Sequence, residues 1–521
     1  MSLKEEGGRK KEEIQAMQDA RVPEGWVATT LNDVLVNVIG GGTPSRNIPA
    51  YFDGSIPWFT VKDMKSLKPR DAKEHITEDA IENSATNLIP ANTLVIATRI
   101  ALGRAMRPTV DCAINQDLKA LILGSGIEPN FLLYWVCAHE RAIQDLGSGT
   151  TVSGIRLETL RSLSVLLPPA AEQTRIVKKL EELLSDLDAG VAELKTVQKK
   201  LAQYRQSLLK AAVEGQLTAD WRVQHPPTET GAELLARILQ ERRTRWEAKQ
   251  LEKFAQQGKT PPKNWQGKYP EPIPPDTRSL PTLPEGWVWA TLSQIGWLDR
   301  GRSKYRPRNA PHLYGGAYPF VQTGDIRHAD THLSKVEVFY SKAGLTQSRL
   351  WPAGTMCITI AANIGKTAIL SMDACFPDSI VGFLPVSGDV SVRYVEYFMR
   401  SAQQKLEDEA PATAQKNINL EILEKVVIPL PPPIEQQQIV KSLDETMGGA
   451  KENNSAIEIV LKQTTAQRQN ILRAAFAGEL VSQDPSDEPA SALLERIRAQ
   501  RAAQTPDQKP RGRKKKEIQD A

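Results

Sequence analysis

The most regular pattern of hydrophobic and polar positions begins just after Pro169. From Ile176 to Leu208, apolar residues recur every three or four positions, which is typical of one face of a long helix that packs against another helix. This face consists of Ile176, Leu180, Leu183, Leu187, Val191, Leu194, Val197, Leu201, Tyr204 and Leu208. Pro168 and Pro169 favour a start and Gly215 favours a stop, so the pattern predicts a helix of about 45 residues, roughly 65 Å long.

A second region, from Ile439 to Ile471, repeats this spacing with polar residues inside the face. The face consists of Ile439, Leu443, Met447, Ala450, Asn454, Ile457, Val460, Thr464, Gln467 and Ile471. Single polar residues in such a seam can fix the register and the partner of a helix at some cost in stability. We therefore predict that the two long helices pair as an intramolecular antiparallel coiled coil. Two helices that each pack only on their own domain would fit the same pattern.

Shorter apolar runs elsewhere predict strands punctuated by glycine and proline. The runs lie at 94–98, 118–123, 356–360 and 380–386, and helical patterns follow them at 129–146 and 392–406. The predicted fold class is therefore α+β, with two similar mixed α/β domains in tandem. The two long helices join these domains in a pseudo-twofold, circular arrangement.

The phrase Pro-Glu-Gly-Trp opens both halves of the chain, at 23–26 and at 284–287. Four further blocks recur in the same order at a nearly constant offset: 56–64 at 318–326, 89–105 at 351–367, 167–177 at 430–440, and 205–217 at 468–480. A period of this length indicates a two-domain duplication and not a solenoid. The match is close in the helical blocks and weak between 40–123 and 301–382. We infer one architecture that is used twice, for two different targets.

These features divide the chain into segments. We predict a basic N-terminal segment 1–21, a first globular domain 22–168, a first long helix 169–217, a helical and proline-rich linker 218–282, a second globular domain 283–431, a second long helix 432–480, and a helical and basic tail 481–521. The phrases GRKKEEIQ at 8–15 and GRKKKEIQ at 512–519 nearly match, which suits a circular arrangement whose ends lie close together. Two unrelated basic tails would look the same.

The overall composition is that of an ordinary globular protein, with 40% hydrophobic and 25% charged residues. The net charge of +4 is compatible with a nucleic-acid partner and does not establish one. None of the four cysteines forms a CxxC pair, the charged N-terminus lacks the apolar core of a signal peptide, and no apolar run reaches the roughly 18 residues of a membrane span. We predict a cytoplasmic protein without a membrane association.

No stretch carries the residue pattern of a catalytic or metal site. The nearest motif is Gly-Lys-Thr at 365–367, but a phosphate-binding loop needs glycine where Ile360 stands. His328 and His332 have the spacing of two ligands on a helix, yet no cysteine or further histidine lies near them. We therefore predict a binding protein with no catalytic residue and no metal. The alternatives are an enzyme of unusual type, which turnover by the isolated chain would support, and a coiled-coil adaptor, which would lack clustered basic loops.

Taken together, these motifs resemble the DNA-specificity (S) subunits of Type I restriction–modification systems. The resemblance rests on both Pro-Glu-Gly-Trp openings, GGGTPS at 40–45, the block 147–169, PPPIEQQQIV at 431–440 and LRAAFAGEL at 472–480. It implies two target-recognition domains, each contacting one half of a bipartite site in double-stranded DNA. It also implies two long antiparallel helices that dock two modification (methyltransferase) subunits, and it allows two restriction (nuclease and translocase) subunits. The chain itself would hold no cofactor, because S-adenosylmethionine, ATP and magnesium belong to the partner subunits.

Two similar domains on a rigid spacer should contact half-sites about one DNA turn, roughly 34 Å, apart. Because the two globular sequences differ, the two half-sites should differ as well. Asn115–Asp117 of the first domain becomes Asp378–Ile380 in the second, which also lacks the triple glycine of 40–42. These departures predict target-specific differences or limit the transfer of residues between the domains.

Candidate DNA contacts follow from side-chain chemistry, since Arg, Lys, Asn and Gln recognise base edges while Arg, Lys, Ser, Thr and backbone N–H groups hold phosphate. In the first domain they are Thr43, Ser45, Arg46, Lys62, Arg99, Arg104, Thr150 and Thr151. In the second they are Arg300, Arg302, Lys304, Tyr305, Arg306, Gln322, Lys366, Gln415, Lys416 and Asn417. The segment 299–308 is the strongest candidate, because four arginines, a lysine and a tyrosine share one predicted loop. Neighbouring glycines would let the backbone approach phosphate, and any single candidate could equally be a solvated surface group.

Overall fold

The computed structural model describes residues 22–147, 154–303, 310–361, 363–409 and 417–504. The chain forms two compact units. Unit 1 combines the chain up to Leu194 with the chain from Ile459 onwards, and unit 2 runs from Lys195 to Glu458. The nearly matching phrases at 8–15 and 512–519 lie outside the described residues.

The regular elements alternate along the chain, as the sequence pattern predicts for a mixed fold. The α-helices of the described residues are α1 (Glu78–Glu82), α2 (Pro129–Ala138), α3 (Glu140–Asp145), α4 (Leu157–Arg161), α5 (Ala170–Val213), α6 (Ala219–Gln224), α7 (Gly231–Gln256), α8 (Leu292–Ile295), α9 (Thr323–His328), α10 (Lys342–Thr346), α11 (Val392–Glu409), α12 (Leu420–Glu424), α13 (Pro433–Phe476) and α14 (Ala490–Gln504). Short 3-10 helices lie at Leu31–Val34, Pro49–Phe52, Val61–Asp63, Trp265–Lys268 and Pro311–Leu313.

The strands are short and most are buried. They are β1 (Val27–Thr30), β2 (Leu35–Gly40), β3 (Ile56–Phe59), β4 (Glu74–Ile76), β5 (Leu88–Ile89), β6 (Leu94–Ala97), β7 (Ala105–Met106), β8 (Cys112–Ile114), β9 (Leu118–Leu123), β10 (Ser164–Leu167), β11 (Val288–Thr291), β12 (Gly296–Arg300), β13 (Tyr314–Pro319), β14 (His332–Leu333), β15 (Phe339–Tyr340), β16 (Met356–Thr359), β17 (Thr367–Leu370), β18 (Ile380–Pro385) and β19 (Val427–Leu430).

Unit 1 contains two four-stranded sheets. One is antiparallel in the order β2-β9-β6-β7, and the other has the order β4-β3-β8-β5, with β3 and β8 parallel. The pair β1-β10 closes the domain by joining its first strand to the strand that precedes α5. Leu94 and Ile96 on β6 and Phe131 on α2 are fully buried in the main core, and each such side chain contributes about 1.5–3 kcal/mol.

Unit 2 has the same plan with a different sheet. Five strands pair in the order β12-β18-β16-β17-β14. Within this sheet the β14-β17 pair is parallel and the other pairs are antiparallel. The pair β11-β19 repeats the closing role of β1-β10. The duplicated architecture predicted from the sequence is therefore present in the described chain, and the weakly matching regions differ in strand arrangement.

The two long helices, α5 and α13, are each 44 residues long, which corresponds to about 66 Å. A glycine with positive φ follows each helix, Gly215 at +73° and Gly478 at +78°. Glycine adopts this left-handed conformation without a steric penalty, and it satisfies the last carbonyls of a helix. The repeated glycine thus ends both helices in the same way.

The apolar face of α5 lies only partly where the periodicity predicts it. Ile176 is fully buried, whereas Val197 and Tyr204 are 43% and 51% exposed, so their assignment to the seam is wrong. At this level the seam contains Gln198, whose side chain donates a 3.4 Å hydrogen bond to Asn454. A straight α-helix drifts by about 20° per heptad against a 3.5-residue repeat, so the contact face moves to the following residue.

Within each unit the two long helices run antiparallel. In unit 1 the start of α5, at Ile176, shares a buried core with the end of α13, at Leu472. In unit 2 the end of α5, at Leu209, shares a core with the start of α13, at Leu443. The predicted antiparallel pairing is confirmed within each unit.

The helix predicted over 129–146 is interrupted at His139, where α2 ends and α3 begins. The backbone of His139 has left the helical region (φ −103°, ψ 8°), and its ring nitrogen Nδ1 lies 2.8 Å from the carbonyl oxygen of Trp135. Among the described helices, none has the length and apolar character needed to cross a membrane.

Candidate nucleic-acid interface

The Pro-Glu-Gly-Trp phrase fixes each globular domain to the start of a long helix. Gly25 and Gly286 have φ of +78° and +82°, so the phrase forms a tight turn that directs the tryptophan inwards. The indole Nε1 of Trp26 donates to Glu172 on α5. In unit 2 the indole Nε1 of Trp287 donates to Glu435 on α13 in the same way. The scaffold beneath the candidate contacts is therefore built the same way twice.

In unit 1 several loops meet around the turn 115–117, which connects β8 to β9. The backbone N–H of Asn115 donates to Phe59 at the end of β3 (3.0 Å), and that of Thr98 donates to Asp117 (2.8 Å). The N–H of Gly42 donates to the last residue of β8 (3.0 Å). We call residues 41–46, 60–62, 98–104 and 115–117 turn cluster 1. Loops that are far apart in sequence thus present their side chains on one surface.

Polar side chains at the centre of turn cluster 1 hold one another in place. Asn115 donates to the buried carboxylate of Asp117 at 3.0 Å, and the guanidinium of Arg99 lies 3.5 Å from the same carboxylate. Arg99 keeps 52% of its side chain exposed, so it is positioned without being covered. Gln116 is exposed and accepts a hydrogen bond from Thr43. This group offers an arginine and an amide, two of the side chains that recognise bases in the major groove.

The glycines of turn cluster 1 are required by the protein's own backbone. A Cβ on Gly41 would lie 1.9 Å from the carbonyl oxygen of Asn115, and one on Gly42 would lie 2.5 Å from the backbone of Ala85. Both distances are impossible contacts for a side chain. Gly41 therefore allows the loop to pack against the turn 115–117, and Gly42 allows it to pack against the backbone of Ala85 and Thr86. This role in the fold is independent of any approach to phosphate.

The remaining unit 1 candidates differ in their surroundings. Ser45 and Lys62 are exposed. Arg46 is exposed but lies 2.6 Å from Glu74 and stacks over the ring of Phe52. Arg104 is directed towards Glu140 of α3, at 3.8 Å. Thr150 and Thr151 lie outside the described residues.

In unit 2 the corresponding loops meet around the turn that precedes β18. The N–H of Ile360 donates to Ser379 (3.0 Å), and that of Gly301 donates to Ile380 (2.9 Å). Ala361 forms an isolated bridge with Asn417. We call residues 300–303, 360–361, 363–366, 378–380 and 417 turn cluster 2. It brings together four of the candidates predicted from the sequence, Arg300, Arg302, Lys366 and Asn417, all of which are exposed. Gln322 is also exposed and directly precedes α9, where its N–H donates to Asp325 (2.8 Å).

The other unit 2 candidates, Lys304, Tyr305, Arg306, Gln415 and Lys416, lie outside the described residues. The contacts of each candidate with DNA stay a prediction. Arg300 and Arg302 are the first two arginines of the segment 299–308; Arg300 is the last residue of β12, and Arg302 follows it.

The backbone contacts also correct the correspondence between the two turns. The backbone N–H of Thr98 donates to Asp117, and the N–H of Ile360, at the equivalent position of the repeat, donates to Ser379. Gln116 of unit 1, which precedes Asp117, therefore corresponds to Asp378 of unit 2. The sequence comparison, which matched Asn115–Asp117 with Asp378–Ile380, was displaced by one residue. Gln116 was not among the predicted contacts. The sequence signal that could have identified it is an amide side chain between two strand patterns.

No group of three or more His, Cys, Asp or Glu in the described chain could hold a metal ion. Burial raises the pKa of Cys112 and of Cys137 to about 12, so both thiols stay protonated and unreactive at neutral pH. Burial likewise raises the pKa of Glu172, against the opposing effect of its hydrogen bond from Trp26.

Comparison with known proteins points to one family. A family model for the Type I restriction modification DNA specificity domain matches the chain twice, at residues 23–197 and 284–463. The Type I restriction enzyme EcoDI specificity subunit of Escherichia coli is 24% identical over 510 residues, covering 94% of this chain and 98% of that protein. The EcoKI specificity subunit of Escherichia coli strain K12 is 22% identical over 508 residues, with 94% and 98% coverage.

A solved structure agrees in fold. Its subject is the complex assembly and conformational transition of the type I R-M system, and one of its chains superposes with a TM-score of 0.64 at 18% identity. The superposition covers 88% of this chain and 99% of that chain. At this level of identity the likeness shows the fold alone.

Proposed function

Because the chain belongs to the specificity subunits of Type I restriction–modification systems, with two recognition domains in tandem, we propose that turn clusters 1 and 2 each contact one half of a bipartite, asymmetric DNA site. Turn cluster 1 contributes Arg99 and Gln116, and turn cluster 2 contributes Arg302, Lys366 and Asp378. The proposal gives the sequence-reading role to loops and the positioning role to the scaffold beneath them.

The observation that carries this proposal is the pair of equivalent turns with different residues at their tips. Gln116 and Asp378 are both exposed and stand at corresponding positions of the duplicated scaffold. An amide can form two hydrogen bonds with adenine, whereas a carboxylate accepts a hydrogen bond from cytosine. The same surface thus carries different hydrogen-bonding chemistry in the two units, which favours two different half-sites.

We assign the fixed spacing between the half-sites to α5 and α13. Each unit contains the start of one helix packed against the end of the other, so the pairing is the same at both ends. A helix pair of this length is stiff enough to define a distance of the order of a DNA turn, roughly 34 Å. On the same grounds we propose the helices as the docking site for two modification subunits, with two restriction subunits as further partners.

We further propose that the chain is not catalytic and acts in the cytoplasm, where the DNA substrate is located. Cofactor chemistry with S-adenosylmethionine, ATP and magnesium is assigned to the partner subunits. The naming of the matched relatives as specificity subunits supports this division.

Selection from a library of random duplex DNA, with the chain bound to its modification subunit, tests the proposal. We expect enrichment of two short, different motifs at one fixed spacing. Replacing Arg302 should weaken the preference for one motif only. Assembly of the complex without any enriched motif would favour a coiled-coil adaptor and refute the proposed DNA contacts.

A further inference from the structure

A cavity of about 340 Å³ lies in unit 2, where α5 faces the globular domain. Four elements contribute a cation to its lining. They are Arg205 on α5, Arg327 on α9, Lys366 in the loop between β16 and β17, and Arg400 on α11. A concave site that collects positive charge from four separate elements is a candidate for binding an anion.

Among the described residues of the cavity lining, the one acidic side chain, Asp330, already has an ion-pair partner. Asp330 lies 2.8 Å from the ammonium group of Lys451. The hydrogen bond from Lys451 lowers the pKa of Asp330, and the nearby charge of Arg205 acts in the same direction. Asp330 is therefore ionised at neutral pH. Its ion-pair partner, Lys451, is not one of the cations that line the cavity.

Arg400 is held in place by the fold. It donates to the fully buried carboxylate of Glu396 and to the backbone carbonyl of Asp330. Arg393 contacts the same carboxylate at 2.8 Å and also pairs with Asp444 at 2.6 Å. The two arginines are therefore balanced by two acids, and the network fixes the position of Arg400 without adding net charge beneath the cavity.

The other three cations, Arg205, Arg327 and Lys366, form no ion pair with any residue that the structure describes. Like charges that line one cavity repel one another, and an anion bound between them would relieve that repulsion. The arrangement is therefore suited to a multiply charged oxyanion, which can accept hydrogen bonds from all three.

Unit 1 provides an internal comparison. The repeat aligns Arg205 with Arg468 and Lys366 with Arg104. Arg468 forms an ion pair with Asp188, and Arg104 lies 3.8 Å from Glu140. These two cations are thus paired within the protein in unit 1, whereas Arg205 and Lys366 of unit 2 form no ion pair among the described residues.

We propose that the cavity of unit 2 binds a phosphate group through Arg205, Arg327 and Lys366. The phosphate can come from the backbone of bound DNA or from a free small molecule. Lys366 also belongs to turn cluster 2, which places the cavity beside the proposed DNA-contacting surface. The DNA source rests on the proposed function; the binding of free phosphate does not.

The test uses the full chain and three variants, Arg327→Gln, Lys366→Gln and the control Lys268→Gln. Lys268 is an exposed cation of unit 2, in a 3-10 helix, without an ion pair among the described residues. All variants are first compared by thermal unfolding, where equal midpoints show that the fold is kept. The first experiment is calorimetric titration of each protein with inorganic phosphate.

The second experiment measures the affinity of the complex with its modification subunit for duplex DNA between roughly 50 and 200 mM salt. Each lost phosphate contact reduces the slope of log K against log salt by about 1. We expect the Arg327 and Lys366 variants to lower this slope while Lys268→Gln retains it. Loss of calorimetric phosphate binding in the same two variants would instead support a free phosphate as the source.

Unchanged salt slopes together with undetectable phosphate binding by the unmodified chain would overturn the proposal. A failure of the proposed function has a different signature. In that case the unmodified complex would bind all duplexes equally, while calorimetric binding of phosphate and its loss in Lys366→Gln would still report the cavity.

Discussion

The indole Nε1 of Trp287 lies 2.8 Å from Oε2 of Glu435, and the matching atoms of Trp26 and Glu172 lie 3.0 Å apart in unit 1. Each tryptophan follows the turn that opens a globular domain, and each glutamate stands in the first turn of a long helix. The glutamates are almost completely buried. The phrase Pro-Glu-Gly-Trp is written twice because each domain is fixed to its helix through the same hydrogen bond.

Glu435 should be a major contributor to the stability of unit 2. Its side chain is 2% exposed and accepts hydrogen bonds from Trp287, Thr218 (2.7 Å) and Arg222 (2.9 Å). Replacing it with alanine leaves the partly buried Arg222 without its carboxylate and Trp287 and Thr218 without their acceptor, which costs about 3–5 kcal/mol. We expect Glu435→Ala to lower the free energy of unfolding in urea by this amount.

Glu421 supplies the matched control for that substitution. It pairs with Lys425 on the surface of α12, with 63% and 53% of the two side chains exposed. Exposed pairs of this kind contribute little because water and salt screen them. Glu421→Ala should leave the urea midpoint unchanged, and an equal effect of the two substitutions would refute the special role of Glu435.

The buried Glu172 should make the stability of unit 1 depend on pH. Burial raises its pKa above the ordinary value of 4.5. The folded state then binds the proton more tightly than the unfolded state, so this contribution is complete below pH 4.5 and is lost as the pH rises through the folded pKa. Urea unfolding of Glu172→Gln and of the unmodified chain should diverge in that window, with the variant gaining relative stability. A difference that is independent of pH would contradict this account.

Two glycines should respond to alanine in opposite ways. Gly190 lies inside α5 with open space around it, and alanine is the better helix former by about 0.5–1 kcal/mol. Gly190→Ala should therefore raise the thermal midpoint of the chain. In Gly41→Ala the new methyl group would lie 1.9 Å from the carbonyl oxygen of Asn115, so the midpoint should fall. Stabilisation by Gly41→Ala would show that the loop does not pack against the turn 115–117.

Arg99 should matter for DNA recognition more than Arg104. Arg99 is held beside Asp117 in turn cluster 1 with half of its side chain exposed, whereas Arg104 is directed towards Glu140. A lost arginine–base contact costs about 1–3 kcal/mol, so Arg99→Ala should weaken specific binding by about 5- to 150-fold. Fluorescence anisotropy with specific and scrambled duplexes measures this difference. Equal losses on both duplexes would assign Arg99 to phosphate and not to a base.

The long helices could be predicted because their signal is local. A repeat of three and four residues from Ile176 onwards specifies a helix without knowledge of its partner. The positions of Val197 and Tyr204 could not be predicted, since small drifts along 44 residues accumulate until a different residue faces the partner. The periodicity therefore predicts the helix, but it locates the contact face of the helix only to within one residue.

The turn clusters could be predicted only in outline. Residue chemistry selected Thr43 and Arg99, but it could not show that both surround the turn that carries Gln116. That arrangement depends on strands β3, β6 and β8 ending at one place, a non-local property of the fold. It also depends on Gly42 packing against the backbone of another loop. Sequence reasoning gave the types of residue, and the topology decides which of them meet.

The most direct test of the central claim exchanges the residues at the tips of the two equivalent turns. Random-duplex selection is performed on the complex with its modification subunit, using Gln116→Asp, Asp378→Gln and the unmodified chain. We predict that Gln116→Asp changes the preferred bases of one half-site, that Asp378→Gln changes those of the other, and that the spacing stays the same in both. If both half-sites change together, or if neither changes, the assignment of one half-site to each turn cluster is contradicted.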